Sequence, residues 1–336
     1  MSRSAPLAVV STDLADHPAV RAWDSLGGPA PAQVELWRRA KTKPAIYRMV
    51  FDGAGRPAVF VKESRRAGLE LERRMYQEVL PLLPLSVPRY LGSCLDGDGS
   101  TWLFIEDVGA GEFVPDDPGH RALAARWLGL MHGSAATRVA GASFPDAGPA
   151  RYLAHLHKGR ERILTHFGNP AMDDQDRAIL RGMLERLDEV EARWPGVERA
   201  CQGLPVTLVH GDMRKKNVRI GGGKAAPILY GFDWEMAGWG VPAADLASAG
   251  ARGVTIRLDP GTYLETVREF WPDLDAAAVS KLSVLGRIFQ ALAGAEWDGA
   301  SLKFDSIVCL MQPVSSMQIH DTAISGALAA GAEWLG

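Results

Sequence analysis

The chain has 336 residues, with 37 lysines and arginines against 40 aspartates and glutamates and a formal net charge of -3. No excess of positive charge is present to support sequence-independent nucleic-acid binding, and 47% hydrophobic with 23% charged residues argues against a disordered or fibrous chain. The length exceeds the roughly 100–200 residues common for one domain, so two lobes are expected.

The N-terminal segment MSRSAPLAVVSTDLADHPAV carries only a short apolar stretch at Pro6–Val10, too short for the apolar region of a secretory signal. No run of about 18 uninterrupted apolar residues appears anywhere, which excludes a membrane-spanning helix by composition. Cys94, Cys201 and Cys309 are far apart and odd in number, so neither a disulfide framework nor a CxxC metal site is suggested. These features together lead to the expectation of a soluble cytoplasmic protein with no nucleic-acid or membrane partner.

From residue 33 the pattern turns to β structure. QVELW, AIYRMVF and PAVFVKE are β-rich runs, and Asp52, Gly53 and Gly55 in DGAGR mark a hairpin between the last two. GLELERRMYQEVLPLLP has helical spacing: Leu69, Leu71, Met75, Tyr76, Val79, Leu80 and Leu83 form an apolar stripe that Pro81 and Pro84 end. Glu72 falls inside that stripe, whereas Glu70, Arg73, Arg74 and Gln77 share the polar face. Glu72 therefore points inward, where a carboxylate needs a partner.

VPRYLG, a turn over Asp96-Gly97-Asp98-Gly99 and the strand TWLFIEDV follow. The flexible GAGE after that strand marks the lobe boundary, giving an N-terminal lobe over 1–107 and a C-terminal lobe over 108–336. HRALAARWLGLMHG, ARYLAHLHKGRERILTHFG and DQDRAILRGMLERLDEVEARW all have helical spacing. Strands return around 205–233 as PVTLVH, VRI and ILYGF, with GGGKAAP as a turn, and residues from about 242 onward read as helices with glycine-rich breaks. A hairpin joining VRI to ILYGF brings Asn217 and Asp233 toward the same end of a small sheet.

Phosphoryl transfer needs metal ions and a cation on the phosphates, and a carboxylate that orients the attacking hydroxyl and accepts its proton. Asp212 and Asn217 lie five residues apart in HGDMRKKN, and Asp233 follows after the hairpin. A carboxylate and a carboxamide are then available to hold Mg²⁺ through oxygen, with Asp212 facing the substrate. The spacing matches the protein-kinase catalytic loop H-R-D-x-x-x-x-N and its later metal-binding Asp, with Gly211 in the middle position.

HGDMRKKN followed by GFDWEMAGWGVPAADLA resembles the aminoglycoside phosphotransferase and choline kinase superfamily. Lys62 in VFVKE is similar to that family's strand lysine, Glu72 in ERRMY to its helix glutamate and FIEDV to its inter-lobe segment, so most of 33–250 is covered. The resemblance implies a protein-kinase-like α+β fold with a small antiparallel-sheet N-lobe, a larger mainly helical C-lobe and nucleotide between them. It also implies Mg·ATP-dependent phosphorylation of a small-molecule hydroxyl acceptor, of which an aminoglycoside or another hydroxylated amine or natural product is the expected class. Asp212 is then the catalytic base or hydroxyl-orienting group, and Asn217 and Asp233 bind Mg²⁺. Lys62 holds the α and β phosphates while paired with Glu72, and the backbone of Glu106 and Val108 hydrogen-bonds the adenine with Ile105 packed behind it. His210 takes a scaffold role, and Asp245 in PAADLA is a loop-fixing or helix-capping carboxylate rather than a ligand.

One departure stands out. Between the first two strands, where glycine lets backbone amides approach phosphates, the chain has RRAKTKP, and Gly27-Gly28 lies upstream of the first strand. Either Arg39, Lys41 and Thr42 supply side-chain contacts or the triphosphate is held loosely. Lys215 is a candidate contact for the transferred phosphate or an anionic substrate, and Asp259, Glu265, Glu269, Glu296, Asp298 and Asp305 are scattered acids that read first as a solvated face. Two other readings are a nucleotide-binding pseudokinase without transfer activity, against which the joint presence of Asp212, Asn217 and Asp233 argues, and a metal-dependent hydrolase using His210, Asp212 and Asp233. The hydrolase lacks the further His ligands such sites use.

Overall fold

A computed structural model describes residues 6–40, 43–53, 55–65, 67–97, 99–223, 226–247 and 256–336. Lys41 and Thr42 of the loop singled out above, with the Arg39 side chain, lie outside the described residues, as does Asp98. In chain order the elements are β1 (Ala8–Val10), α1 (Pro18–Asp24), β2 (Gln33–Ala40), β3 (Lys43–Val50), β4 (Val59–Ser64), α2 (Ala67–Arg74), β5 (Tyr90–Leu95) and β6 (Thr101–Glu106). There follow α3 (Pro118–Arg138), α4 (Pro149–His166), α5 (Asp174–Ala192), α6 (Trp194–Cys201), β7 (Thr207–Val209), β8 (Val218–Gly223), β9 (Ala226–Gly231) and β10 (Gly238–Gly240). The last helices are α7 (Pro260–Val267), α8 (Ala276–Gly299), α9 (Ile307–Ala330) and α10 (Ala332–Leu335).

By packing, the chain forms two units, one of Met1–Val114 with Arg214–Met236 and one of Pro115–Met213 with Ala237–Gly336. The boundary drawn at 107 from sequence differs from this division in one instructive way. The hairpin β8–β9 packs with the first unit although it lies a hundred residues downstream, because its end is tied by side chains to β4, as described below.

The first unit is built on a six-stranded antiparallel sheet in the order β1-β2-β3-β4-β6-β5. Alternation decides its faces. Tyr47, Met49, Val59, Val61, Trp102 and Phe104 point to one side, where they form a core with Ala19, Val20, Ala22 and Trp23 of α1. The opposite face carries Lys62, which pairs across the ladder with Ile46 on one side and Leu103 on the other. β1 and α1 were not read from the sequence. The signal for α1 was present: His17 accepts the Ala19 N–H, Pro18 begins the helix, and the apolar residues that follow share one face.

Helix α2 is shorter than its apolar stripe suggests. It widens into a π turn over Met75–Val79 and closes with a 3-10 turn over Leu80–Leu82, since Pro81 has no N–H to continue the ladder. Most of the stripe is buried as expected, with Leu69, Met75, Tyr76, Val79, Leu80 and Leu83 in the interior, while Leu71 is only partly covered.

The second unit is mainly helical, with β7 and β10 as a two-stranded antiparallel ribbon. Helix starts follow local chemistry: Asp117, Asp259 and Asp275 each accept an N–H of their first turn, and Asp173 and Asp176 form a reciprocal capping box. α8 is long and apolar enough to cross a membrane, but 67% of its most apolar window is buried inside the protein. It is the central helix, packed against α4, α7 and α9, which accounts for apolar residues on nearly all its sides. At Gly286 a Cβ would come 1.9 Å from the Ala243 carbonyl, so only glycine permits that close approach.

Candidate active site

Two clusters of buried polar side chains, one in each unit, hold the residues singled out from the sequence. In the first unit, Lys62 Nζ donates to Glu72 Oε2 at 2.6 Å and to Asp233 Oδ1 at 2.5 Å. Strand β4 supplies the lysine, α2 the inward glutamate and the end of the β8–β9 hairpin the aspartate. Glu72 is 1% exposed, as its place in the apolar stripe requires, and its Oε1 has no hydrogen-bond partner among the described residues. Asp233 sits at φ 73°, a left-handed conformation uncommon for a side-chain-bearing residue and concentrated at functional sites.

One cation shared between two acids sets the protonation behaviour. Burial works against the charge on Lys62, but Asp233 and Glu72 hold its ammonium above the usual lysine range. Burial likewise opposes ionisation of Asp233, yet Lys62, then Lys216 and Arg38, hold its carboxyl below the usual range. Glu72 goes the other way: burial, with the Asp233 charge adding to it against the pull of Lys62, pushes its carboxyl up to about 7. Lys62→Met is expected to leave both acids without their cation and to lower stability by about 3–5 kcal/mol, the usual effect of breaking a buried pair. A denaturant melt unchanged from the parent would show that the lysine does not hold this cluster together.

The hairpin closes as its sequence predicts. Val218 pairs with Gly231 at the end of the ladder, and the Phe232 N–H donates to the Asn217 carbonyl at 3.1 Å. Asn217 and Asp233 therefore leave the same end of the small sheet, both buried. Their donor chemistry suits Mg²⁺, since one offers a carboxamide oxygen and the other a carboxylate kept ionised. Glu235, two residues after Asp233, is a carboxylate that the sequence reading did not single out; burial and then the Asp233 charge raise its pKa.

The linker residues are also in the first unit. The Glu106 N–H is committed to the Arg89 carbonyl at 2.9 Å, and that of Val108 has no hydrogen bond among the described residues. Ile105 is buried. Lys215 pairs with Glu112 at 2.9 Å on the surface, both about half exposed.

In the second unit, Asp212 follows His210 and Gly211 at the end of β7 and is 5% exposed. Gly211 has φ 81°, which explains glycine at this place in the loop. Asp245 fixes the turn: its Oδ2 accepts the His210 N–H at 2.7 Å and its Oδ1 the Gly211 N–H at 2.8 Å. His132 Nε2 lies 3.2 Å from the same Oδ2, and its Nδ1 lies 3.0 Å from the Tyr263 hydroxyl. Gln290 on α8 donates to the Gly211 carbonyl at 2.9 Å and to that of Ala244 at 3.2 Å. The Asp212 N–H in turn donates to His210 Nδ1 at 3.3 Å. His210 thus serves as a loop fastener, and so does Asp245. His132, Tyr263 and Gln290 were not found from sequence.

The scattered C-terminal acids do separate jobs. Asp259 caps α7, Glu296 is paired with His155 and Arg162, Asp298 bonds His320, and Glu265, Glu269 and Asp305 are exposed.

Comparison with known proteins gives a family and a fold. A family model described as the phosphotransferase enzyme family matches residues 45–279, more than half of the chain. No curated protein matches. Among solved structures, a choline kinase from Cryptosporidium parvum Iowa II is similar with TM-score 0.60 at 10% identity, covering 90% of this chain and 93% of its own. A spectinomycin phosphotransferase in complex with ADP and spectinomycin gives TM-score 0.61 at 12% identity, over 89% of this chain and 93% of its own. A microcompartment-associated aminopropanol kinase gives 0.56 at 14%, over 90% and 95%. At these identities the likeness is one of fold, and it is the kinase-like α+β fold expected from the motifs.

Proposed function

Given that the chain belongs to the phosphotransferase enzyme family, we propose that it transfers the γ-phosphoryl group of ATP, with Mg²⁺, to a hydroxyl of a small molecule. The observation that carries this reading is the buried lysine shared by Glu72 and Asp233, 10 and 171 residues away in sequence. In protein kinases a strand lysine paired with a helix glutamate, together with a metal-binding aspartate, serves the triphosphate. Lys62 binds the α and β phosphates, Glu72 orients it, and Asn217 and Asp233 hold Mg²⁺, which when bound neutralises phosphate charge. The Glu106 carbonyl and the Val108 N–H read the adenine edge. Asp212 orients the acceptor hydroxyl and takes its proton. The nucleotide-binding role falls to Met1–Val114 with Arg214–Met236, and the catalytic loop and acceptor site to Pro115–Met213 with Ala237–Gly336.

Choline, aminopropanol and spectinomycin, the compounds named for the similar structures, support an amine-bearing alcohol as acceptor, with aminoglycosides and other hydroxylated natural products in the same class. An ATP-consuming enzyme of this kind belongs in the cytoplasm. ADP release across a panel of amino alcohols and aminoglycosides, with and without EDTA, tests the proposal: turnover with at least one acceptor that stops on chelation is expected. ATP binding without turnover on any acceptor would turn the reading into a pseudokinase, and ATP-independent hydrolysis would overturn it.

A further inference from the structure

The loop between β2 and β3 has no glycine to present backbone amides, and Pro44 at its far side has no N–H at all. We propose that the side chain of Arg38 takes over the work of a glycine-rich loop and grips the triphosphate of the nucleotide; the inference rests on the nucleotide reading above.

Three observations of the sheet lead there. First, Arg38 pairs across the ladder with Ile46, and Ile46 pairs with Lys62. Residues directly opposite on neighbouring strands share a face, so Arg38 and Lys62 stand on the same side, away from the Trp23 core, and two strand spacings apart, roughly 10 Å. Second, the β2–β3 register shifts on both sides of Arg38, between Leu36 and Arg38 and again between Arg38 and Ala40. Bulges of this kind re-aim a side chain and recur beside active sites. Third, Arg38 Nε donates to the Pro44 carbonyl at 3.0 Å. That bond holds the shaft of the side chain and leaves the two terminal NH₂ groups of the fork for a ligand.

The ladder sets the direction of aim: Arg38 lies on the face where Lys62 pairs with Asp233, the acid proposed to hold the metal. A triphosphate placed against Lys62 has its outer phosphates on that side. Arginine fits them better than lysine, because its planar fork donates two parallel hydrogen bonds to phosphate oxygens. The glycine that phosphate loops use becomes unnecessary where a side chain, not the backbone, approaches the ligand.

The test compares affinities of the full-length protein for Mg·ATP and for adenosine by calorimetry. Adenosine reports the base and sugar contacts alone, so the ratio of the two affinities measures grip on the phosphates. In Arg38→Gln the ratio is expected to fall about ten- to a hundredfold, the size of a lost charge-assisted contact, with adenosine affinity and the melting temperature unchanged. Arg38→Lys should lie between parent and Arg38→Gln. A ratio preserved in Arg38→Gln, or a parallel loss of adenosine affinity, overturns the assignment. Should Arg38→Gln lose its cooperative melt, Arg38→Lys decides the matter, and a ratio equal to the parent's overturns it. Failure of the parent protein to bind Mg·ATP more tightly than adenosine would instead sink the nucleotide reading itself.

Discussion

Asp212→Ala is expected to lower phosphotransfer by about 10²–10⁴-fold, the usual contribution of a positioned general base, while Mg·ATP affinity stays nearly unchanged. The separation of effects follows from where the residues sit. Lys62, Glu72, Asn217 and Asp233 all belong to the first unit, whereas Asp212 belongs to the second and follows the turn that Asp245 fastens. A nucleotide that draws its affinity from the first set does not depend on Asp212. kcat from ADP release and Kd from calorimetry, measured on the same preparation, check both halves of the expectation. Full activity in the variant would remove Asp212 from the mechanism. A fall in ATP affinity as large as the fall in rate would make it a nucleotide or metal ligand instead. Asp212→Asn is a useful companion, since it keeps the shape of the side chain while removing its ability to accept a proton.

Much of this site is legible in the sequence because its parts are local or periodic. The inward aim of Glu72 follows from helical spacing alone, and the structure gives it the cation that its burial demands. The meeting of Asn217 and Asp233 follows from a hairpin whose strands and turn are written in fourteen contiguous residues, Val218–Gly231. The pairing of Lys62 with residues far along the chain is not local. The sequence pairs Lys62 with Glu72 only, and its bond to Asp233 goes unread, because strand order and the packing of a distant hairpin are set by the whole core and not by any one segment.

What was missed shares a physical reason. Gln290 reaches the Gly211 carbonyl from the middle of α8, where it is one polar residue in an apolar run. His132 lies in an ordinary helical stretch, and Tyr263 looks like a core aromatic. Their role is fixed by helix packing, which spacing does not reveal. Within RRAKTKP the sequence points to Arg39, Lys41 and Thr42 and not to Arg38; plain alternation along β2 would set Arg38 on the face of Val34 and Leu36, and only the register shifts turn it away. Two register shifts in one strand cannot be read from a single sequence. β1 and α1 were overlooked for a different reason: the N-terminal segment was weighed only as a targeting sequence, and its capped helix went unread.

The fastening network yields the second large effect. Asp245→Asn is expected to lower stability by about 3 kcal/mol and kcat by about a hundredfold. The aspartate accepts two backbone N–H groups and faces His132, with no exposure to solvent. An asparagine has one acceptor oxygen in place of two, so one N–H of the turn loses its partner in the interior, at about 1–3 kcal/mol, and the charge that strengthened the others is gone. The rate effect follows because the turn carries Asp212, and a shift of about 1 Å in a catalytic group is enough for a hundredfold loss. pH separates this mechanism from a general loss of packing. Burial alone would raise the Asp245 pKa, but the His132 hydrogen bond and the nearby His132, His210 and backbone donors hold it below the usual range. A carboxyl depressed in the folded state contributes stability that is complete above its unfolded value, near 3.9, and is lost as pH falls through the lower folded value. The stability gap between parent and Asp245→Asn is therefore expected to be constant from neutral pH down to about 4 and to shrink below it. Denaturant melts at a series of pH values check this. A gap that does not narrow in acid would mean that the carboxylate's charge is not what holds the turn.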